Sequence, residues 1–390
     1  MTKYLDYAAT TPVDERVIEV MLPYFNQEFG NPNSLYKIGR DAFHALEAAR
    51  ETVATGIGAE RPGEVIFTSG GTEADNESFF SVLRAKAPNG GHLIVSAYEH
   101  HAVLRVAEWL AKHGFELSIV KPRKDGHVYA EDVAKLLRED TKLVSVMHSN
   151  NEIGAVNDIA AIAEVVHGAD ALMHTDAVQS LGKVELNVAR LGVDMASFSS
   201  HKIYGPKGVG ALYLKRGIGF DALIKGGGQE TRRRSGTQNV AGAIGFAKAL
   251  ELMLAERETE APRLIALRDR ALEGVTTRLE NTLATIHEGE RLPNIAPLLI
   301  KGVEGESMLL QLDNLGFSVS TGSACSSGSL EPSHVLLSVG VAQEIAHGSL
   351  RISVGRWTTQ ADIDEFVDVL VPIVERLRAM SPVYEKMFCS

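Results

Sequence analysis

One lysine, Lys202, follows an apolar run and is enclosed by small and polar residues. The run 193–198 leads into Ser200 and His201, and a glycine-rich turn follows the lysine. A lysine in such a setting can form a Schiff base with a carbonyl cofactor. A solvent-exposed lysine on a tight turn would have the same sequence. Taken alone, this stretch leaves both interpretations open.

A Gly-Gly turn follows a second strand-like run. Gly70 and Gly71 come after residues 65–67 and lead through Thr72 into a predicted helix. Backbone N–H groups at the start of a helix, together with the Thr72 hydroxyl, can hold a phosphate group. A helix-capping box has a similar sequence, so this motif is weak by itself.

An acidic residue follows a third apolar run. Asp176 comes after residues 171–173, where a carboxylate is costly to bury unless its charge is paired. A protonated pyridine nitrogen is a suitable partner, and Gln179 could then reach the ring oxygen; an N-cap role for Asp176 is the alternative. A phosphate site, an acid for a pyridinium and a Schiff-base lysine are together the requirements of pyridoxal 5'-phosphate, PLP. The sequence therefore predicts PLP as the cofactor.

Two further runs are followed by groups that could assist such a site. Glu99, His100 and His101 come after residues 93–95, and one of the two histidines could stack on the cofactor ring and transfer protons. A metal site would need a third ligand that the sequence does not offer, so none is predicted. Asn151 offers an amide after the run 143–146.

A lone interior cysteine, Cys325, lies in the polar segment 320–330. A nucleophile that must move between a buried cofactor and an external acceptor belongs on a mobile loop, although an ordinary connection would also be polar. The other cysteine, Cys389, lies one residue from the end and is predicted to have no role. Two cysteines exclude a disulfide framework and a cysteine-based zinc site.

The elements that carry these residues alternate between strand and helix. Strand-like runs occur at 65–67, 93–95, 117–120, 143–146, 171–173, 195–198 and 210–213, and helical patterns include 15–27, capped by Asp14, and 37–56. This pattern predicts an α/β fold with a mostly parallel central sheet, helices on both faces and ligands beyond the carboxyl ends of the strands. The length of 390 residues favours two domains. We predict a large domain over 15–256 and a smaller α+β domain formed by 1–14 and 257–390.

Composition excludes several classes of protein. The net charge of −11 argues against a nucleic-acid binder, and the dense basic cluster 232–234 is too small for such a groove. From the residues alone, that cluster is a solvated turn. Apolar runs fall short of the ~20 residues of a membrane span, and the first residues lack the apolar core of a signal peptide. A cytoplasmic location, without membrane contact, is predicted.

Four longer motifs occur in order along the chain. They are His-Ser-Asn-Asn-Glu-Ile-Gly at 148–154, Thr-Asp-Ala-Val-Gln at 175–179, Ser-Ser-His-Lys-Ile-Tyr-Gly-Pro-Lys-Gly at 199–208 and Gly-Ser-Ala-Cys-Ser-Ser-Gly at 322–328. Together they resemble the cysteine desulfurases of the NifS/IscS group, in the class V aminotransferase family. The likeness begins at Tyr4 and extends beyond Arg356, nearly the whole chain.

The resemblance implies the PLP-dependent transferase fold type I and a homodimer with active sites at the subunit interface. Lys202 would carry the cofactor, Asp176 would pair with the pyridine nitrogen, and Gln179 would bond the phenolic oxygen. His100 would stack over the ring. The phosphate would be held by Gly71, Thr72, Ser199, His201 and the partner subunit's Thr237, and the substrate carboxylate by Asn151 and Arg351.

The implied reaction converts L-cysteine to L-alanine. The Cys325 thiolate would attack the substrate sulfur, and the resulting persulfide would pass to an acceptor or scaffold protein for iron–sulfur cluster assembly or other sulfur-compound biosynthesis. Cys325 could also serve as a transient iron–sulfur ligand on a scaffold. A free thiol has a pKa of ~8.5, so ionisation needs help, for which His100 is the candidate.

Two alternatives stay open from the sequence. Another class V reaction, such as transamination or selenocysteine lysis, uses the same cofactor residues, although Cys325 argues against plain transamination. A non-catalytic scaffold or sulfur-carrier partner is the other alternative. The presence of Lys202, Asp176, His100 and Cys325 together argues against it.

Overall fold

The computed structural model describes residues 2–285, 289–322, 331–381 and 384. Within this part of the chain the longest sheet has seven strands, and two smaller sheets contain three and two strands. The strands are β1 (Lys3–Tyr4), β2 (Val65–Thr68), β3 (Gly91–Ser96), β4 (Phe115–Val120), β5 (Thr141–Ser145), β6 (Leu172–Asp176), β7 (Met195–Ser199), β8 (Gly210–Leu214), β9 (Thr282–Ala284), β10 (Ile295–Ile300), β11 (Phe317–Ser318) and β12 (Ser349–Ser353).

The seven-stranded sheet has the order β2-β8-β7-β6-β5-β3-β4. Strand β8 runs antiparallel to both of its neighbours, β2 and β7, and the other pairs are parallel. The prediction of a mostly parallel sheet is therefore confirmed. Because the parallel strands share one direction, the residues that follow β2, β3, β5, β6 and β7 meet at the same edge.

Helices cover both faces of this sheet. They are α1 (Glu15–Met21), α2 (Pro23–Asn26), α3 (Lys37–Ile57), α4 (Gly71–Lys86), α5 (His101–Ala111), α6 (Ala130–Ala134), α7 (Ile159–Gly168), α8 (Val188–Leu191), α9 (Val240–Thr276), α10 (Gly305–Asn314), α11 (His334–Ser338), α12 (Gln343–Ala346) and α13 (Gln360–Ala379).

The pleat of β3 shows how one strand serves two cores. Leu93 and Val95 belong to a core with α4 and α5 residues, whereas Ile94 belongs to a core with α3, α7 and α9 residues. Successive side chains of a strand point to opposite faces, so an unbroken apolar run indicates burial on both sides.

The helix predicted over 15–27 is divided in two. Asp14 caps α1 as expected, since its side chain accepts a hydrogen bond from Arg16 N at 3.0 Å. Helix α1 ends at Met21 and α2 begins at Pro23. Proline has no N–H to donate and its ring clashes with the preceding turn, so the helix cannot continue through that position unbroken.

The C-terminal residues form a second hydrophobic core around the antiparallel sheet β12-β10-β9. Leu5 joins this core, and β1 pairs with β11 in parallel. The first half of α9 packs on the large sheet through Phe246, and its second half packs in the C-terminal core through Leu267. The domain boundary proposed at residue 256 falls inside α9 and stays a prediction. No helix of the described ranges has the length and apolarity to cross a membrane.

Candidate active site

A cavity of about 430 Å³ lies at the carboxyl ends of the parallel strands. Its size is typical of sites for small molecules. Ala8 and Ala9 of the N-terminal segment and Gly322, where the Cys325 segment begins, also line it. Cys325 itself lies outside the described residues, and Thr237 is exposed on the surface of this chain. The predicted site residues that line the cavity are Gly71, Thr72, His100, Asn151, Asp176, Gln179, Ser199, His201, Lys202 and Arg351.

Lys202 ends a short 3-10 turn, Ser200–Lys202, directly after β7. Its Nζ donates hydrogen bonds to the carbonyl oxygens of Ala8 at 2.8 Å and Ala9 at 2.7 Å. A Cβ on Gly205 would collide with the Ser200 hydroxyl, so glycine lets the chain turn back after the lysine. The amine therefore lies in the cavity rather than on an exposed turn.

His100 is the N-cap of α5. Its Nδ1 accepts a hydrogen bond from Ala102 N at 3.2 Å, which places the proton of the neutral ring on Nε2. Burial, followed by the positive charge of Lys202, lowers the pKa of His100 to about 4. The ring is therefore neutral near pH 7 and carries a donor on Nε2.

Asp176 is the last residue of β6 and is buried. Its Oδ1 accepts a hydrogen bond from Val178 N at 2.9 Å within a turn, and no helix begins directly after β6, so the N-cap role considered from the sequence is not what the structure shows. Burial raises the pKa of Asp176 to about 6, while the Val178 bond and the charge of Lys202 oppose that rise. A cation placed beside this carboxyl group would favour its ionised form.

Gln179 is held from two sides. Its Nε2 donates to Ala8 O at 2.9 Å, and Lys183 Nζ donates to its Oε1 at 3.1 Å. Lys183, which the sequence reading did not select, is buried, and burial followed by the charge of Lys202 lowers its pKa to about 7. A backbone carbonyl oxygen can only accept, so the Ala8 contact fixes the donor end of the Gln179 amide and leaves Oε1 as the acceptor for Lys183.

The predicted phosphate end lies where α4 begins. Gly71 is the first residue of α4, and a Cβ there would lie 2.9 Å from Val178 Cγ2. His201 Nδ1 is hydrogen-bonded to Thr10 Oγ1 at 3.0 Å, and burial followed by the charge of Lys202 lowers its pKa to about 4. The N–H groups of the first helical turn, which have no partners within a helix, are the donors that a phosphate requires.

The basic cluster 232–234 is not a uniform solvent-facing patch. Arg234 Nε pairs with Glu73 Oε1 at 2.8 Å, and Arg233 Nη1 donates to the Gly63 carbonyl oxygen at 2.8 Å, whereas Arg232 is exposed. Two of the three arginines thus attach the segment before Thr237 to the rest of the chain, Arg234 at the first turn of α4 and Arg233 at the residues ahead of β2.

Arg351 comes from β12 and reaches across to the cavity. Its Nη2 pairs with Asp6 Oδ1 at 2.7 Å, and its Nη1 donates to the Asn151 carbonyl oxygen at 2.8 Å. Its buried Nε has no hydrogen-bond partner among the described residues. A substrate carboxylate would satisfy this guanidinium, because paired N–H groups of arginine match the two carboxylate oxygens.

The model of the family described as "Aminotransferase class-V" matches residues 3–366. The chain belongs to the class V aminotransferase family. The family resemblance drawn from the motifs is confirmed.

Relatives in this family and solved structures are similar to this chain over nearly its full length. A cysteine desulfurase IscS from Dictyoglomus turgidum is 48% identical over 379 residues, which cover 97% of this chain and 96% of that protein. A solved NifS-like protein is 35% identical with a TM-score of 0.90, covering 96% of this chain and 100% of its own. A solved structure of SspA in complex with cysteine is 32% identical with a TM-score of 0.81, and the match covers 92% of this chain and 100% of that chain. The predicted α/β fold is therefore that of NifS-like PLP enzymes.

The class V site also contains ionisable residues beyond the predicted set, and two of them, Glu99 and His101, belong to the segment from which His100 was chosen. Asp75, Glu99, His101, Glu152 and His334 line the cavity. Asp75 shares a helical face with Phe79 and Val82, at spacings of four and seven residues. That position in an apolar stripe was the available signal for a buried carboxyl group. Within the described ranges, no three His, Cys, Asp or Glu side chains form a group that could hold a metal ion.

The remaining residues of this set lie in the wall of the class V cavity, and several of them contact one another or their neighbours. The rings of His101 and His334 lie 4.9 Å apart between centroids, and His334 Nε2 is 3.0 Å from the Glu99 carbonyl oxygen. Glu152 accepts a hydrogen bond from Ser333 Oγ. Their chain positions, 101, 152 and 334, are too far apart for sequence spacing to bring them together.

Proposed function

We propose that this protein is a PLP-dependent cysteine desulfurase. It converts L-cysteine to L-alanine and transfers the sulfur, as a persulfide of Cys325, to an acceptor protein. The observation that carries this proposal is the cavity that Lys202, Asp176 and His100 share with Arg351, whose Nε has no hydrogen-bond partner among the described residues. The relatives named cysteine desulfurases support the same reaction.

The donors and acceptors of the cavity fit PLP. Lys202 would bond to its aldehyde carbon, Asp176 would face its ring nitrogen and Gln179 its phenolic oxygen. Its phosphate would be held by Gly71, Thr72, Ser199, His201 and the partner subunit's Thr237. Orphaned buried polar atoms at the cavity wall, Asp75 Oδ1 and Glu99 Oε2, support a polar occupant. When bound, PLP withdraws electron density from the α-carbon of the amino acid.

The substrate is held at the opposite end from the phosphate. Arg351 Nε and the Asn151 side chain would bind the carboxylate of L-cysteine. Asp6 and the Asn151 carbonyl oxygen already fix the guanidinium plane, so little conformational freedom is lost on binding. Gly322 lines the same cavity, and its carbonyl oxygen lies 3.5 Å from Arg351 Nη1, so the chain that leads to Cys325 starts beside the proposed carboxylate site.

Proton movements are assigned to Lys202 and His100. Lys202 would be the base that takes the α-proton of L-cysteine. His100 carries its proton on Nε2, so it would favour the Cys325 thiolate as a hydrogen-bond donor rather than as the base that deprotonates it. The Cys325 thiolate would attack the substrate sulfur, so that an S–S bond forms as the Cβ–S bond breaks and its electron pair stays with the carbon fragment. Cβ would then take a proton from solvent, and Lys202 would return the α-proton to Cα, which gives alanine.

A homodimer would complete the site. Exposed apolar side chains cluster in residues 18–43, where Phe25 is 64% exposed and Leu35 is 89% exposed. Such a patch is typical of an interface. Asn33 Nδ2 donates to Gln238 Oε1 at 3.0 Å, so the patch adjoins Thr237. A second copy that covers the patch would therefore lie beside Thr237, as the shared phosphate site requires.

The sulfur acceptor is proposed to be an iron–sulfur scaffold or another sulfur-carrying protein. The negative net charge of −11 supports a protein acceptor rather than a nucleic acid. That the protein binds no nucleic acid and that it is located in the cytoplasm stay predictions from the sequence.

The test uses the purified holoenzyme and L-cysteine with a thiol reductant. We expect alanine and sulfide in equal amounts. Cys325→Ala should abolish sulfide release and leave the absorbance of bound PLP intact, while Cys389→Ala should release sulfide at the wild-type rate. Full sulfide release by Cys325→Ala would contradict the role of Cys325, and a 2-oxo acid product instead of alanine would favour transamination.

A further inference from the structure

The N-terminal segment lies along the turn that carries Lys202. The Lys202 amine donates hydrogen bonds to the carbonyl oxygens of Ala8 and Ala9. Further along the segment, Asp14 N donates to the Tyr204 carbonyl oxygen at 3.0 Å. The segment therefore contacts the turn both at the tip of the lysine side chain and at the backbone that follows it.

Thr11 bridges the backbone on the two sides of Lys202. Its side chain is buried, and its Oγ1 donates a hydrogen bond to the His201 carbonyl oxygen at 3.0 Å. The same Oγ1 accepts a hydrogen bond from Tyr204 N at 2.8 Å. The backbone N–H of Thr11 also donates to the His201 carbonyl oxygen, at 3.0 Å. One hydroxyl thus joins the residue before the lysine to the second residue after it.

Tyr204 has a backbone conformation that needs such support. Its φ angle is +65°, in the left-handed region that favours glycine. Residues keep such angles where the surrounding contacts hold them there. The Thr11 hydroxyl occupies its backbone N–H, and its side-chain hydroxyl accepts a hydrogen bond from Arg356 N at 2.9 Å. Removal of the Thr11 hydroxyl would leave Tyr204 N buried without that partner, a cost that a rearranged turn can relieve.

We propose that Thr11 is a positioning residue that fixes the turn in the conformation from which Lys202 bonds to the aldehyde carbon of PLP. In that step the nitrogen of the neutral amine attacks the carbon, and a C=N bond replaces the C=O bond. Both amine hydrogens leave with the aldehyde oxygen as water. A small displacement of an attacking group slows such a step strongly, so a relaxed turn would retard it. This inference rests on the proposed PLP site.

Two substitutions and a matched control separate the hydroxyl from the shape of the side chain. Thr11→Val removes the hydroxyl at nearly constant shape, whereas Thr11→Ser keeps it. Thr52→Val is the control, because the exposed Thr52 Oγ1 also donates to a backbone carbonyl oxygen, that of Ala48, at 3.0 Å. Thr11→Ala removes the hydroxyl without adding an apolar group and gives the same comparison if Thr11→Val does not fold.

Two ligands separate the lysine from the rest of the site. PLP can bond to Lys202, whereas pyridoxine 5'-phosphate has the same ring and phosphate but no aldehyde. In Thr11→Val, His201 keeps its contacts with the Thr10 hydroxyl and with the backbone N–H of residue 11. We therefore expect the phosphate end of the site to stay in place. The Kd for pyridoxine 5'-phosphate, measured by fluorescence quenching of the apoprotein, should remain within about twofold of wild type.

The response to PLP should differ. In Thr11→Val we expect the Kd for PLP to rise about fivefold or more, because binding must reverse the relaxation of the turn. The rate constant of the absorbance change after mixing with PLP should fall about tenfold or more. Borohydride reduction and mass spectrometry of the Lys202 peptide identify the bond that this absorbance reports. Thr11→Ser and Thr52→Val should match wild type within about twofold in every measurement.

Three results would overturn the proposal. They are wild-type affinity and rate for PLP in Thr11→Val, equal losses in Thr11→Val and Thr11→Ser, and an equal loss of affinity for PLP and pyridoxine 5'-phosphate. The last result would mean that Thr11 supports the whole site rather than the lysine. If the wild-type protein binds neither ligand, the proposed function fails and this inference fails with it. If it binds both and forms alanine, but the Thr11 comparison fails, the inference about Thr11 alone is wrong.

Discussion

A buried ion pair between Arg50 and Glu230 holds the turn that leads toward Thr237. Arg50 Nη2 is 2.9 Å from Glu230 Oε1, and the two side chains are 8% and 2% exposed. Glu230 Oε2 also accepts a hydrogen bond from Phe67 N at 3.0 Å. Glu230, Thr231 and Arg232 all have positive φ angles, which are unfavourable for residues with side chains. The ion pair therefore stabilises a turn that has little stability of its own.

The two partners differ in what they retain when the other is removed. Arg50→Met leaves the Glu230 carboxylate buried with only the Phe67 N–H, so we expect a loss of about 3–5 kcal/mol in the free energy of unfolding. Glu230→Gln leaves Arg50 paired with Glu47 Oε1 at 3.0 Å and bonded to the Val65 carbonyl oxygen at 2.9 Å. We expect the smaller loss of about 1–3 kcal/mol for that variant.

Urea unfolding of the apoprotein, followed by circular dichroism, checks both values. All variants must be compared at one protein concentration, because association of subunits stabilises the folded state by mass action. Arg278→Met, at an ion pair whose side chains are 45% and 68% exposed, is the control and should change little. A loss below about 1 kcal/mol in Arg50→Met, or an equal or larger loss in Glu230→Gln, would refute this reasoning.

Three further predictions concern the cavity. Arg351→Met should raise the KM for L-cysteine about tenfold or more, since a charged hydrogen-bond donor to the substrate is lost. Initial-rate measurements check this value, and an unchanged KM would mean that Arg351 does not bind the substrate. Gly210→Ala should lower the free energy of unfolding by about 1–3 kcal/mol and weaken PLP binding, because its Cβ would lie 2.7 Å from the backbone of Gly70. In the control Gly63→Ala the new Cβ meets no atom within 4 Å, so neither change is expected. Urea unfolding and a PLP titration of both variants test this prediction. Burial lowers the pKa of His148 to about 4. Below pH 6.5 the unfolded chain therefore takes up a proton at this side chain before the folded chain does, so the free energy of unfolding falls as the pH is lowered. In His148→Asn this fall down to about pH 4 should be smaller by about 2–3 kcal/mol, and identical pH profiles would contradict it.

The sequence determined the sheet and the polar groups at its edge. Unbroken apolar runs followed by Thr72, Asp176 and Lys202 could be read as strands with chemistry at their carboxyl ends, because parallel strands bring those ends together. The predicted residues of the PLP site other than Thr237 do line one cavity. Local sequence was sufficient here because each residue immediately follows, or lies close behind, the strand that positions it.

The tertiary structure alone decided which charges face one another. Arg351 pairs with Asp6, 345 positions away in the chain, and Asp75 of α4 and Asp176 of β6 line the same cavity. It also decided that His100 has its Nδ1 occupied and that Lys183 fixes the amide of Gln179. Burial and long-range contacts set these protonation states and orientations, and neither follows from the spacing of residues along the chain. The sequence thus determined which groups are present at the site, and only the packing of distant segments decided which of them carries a proton.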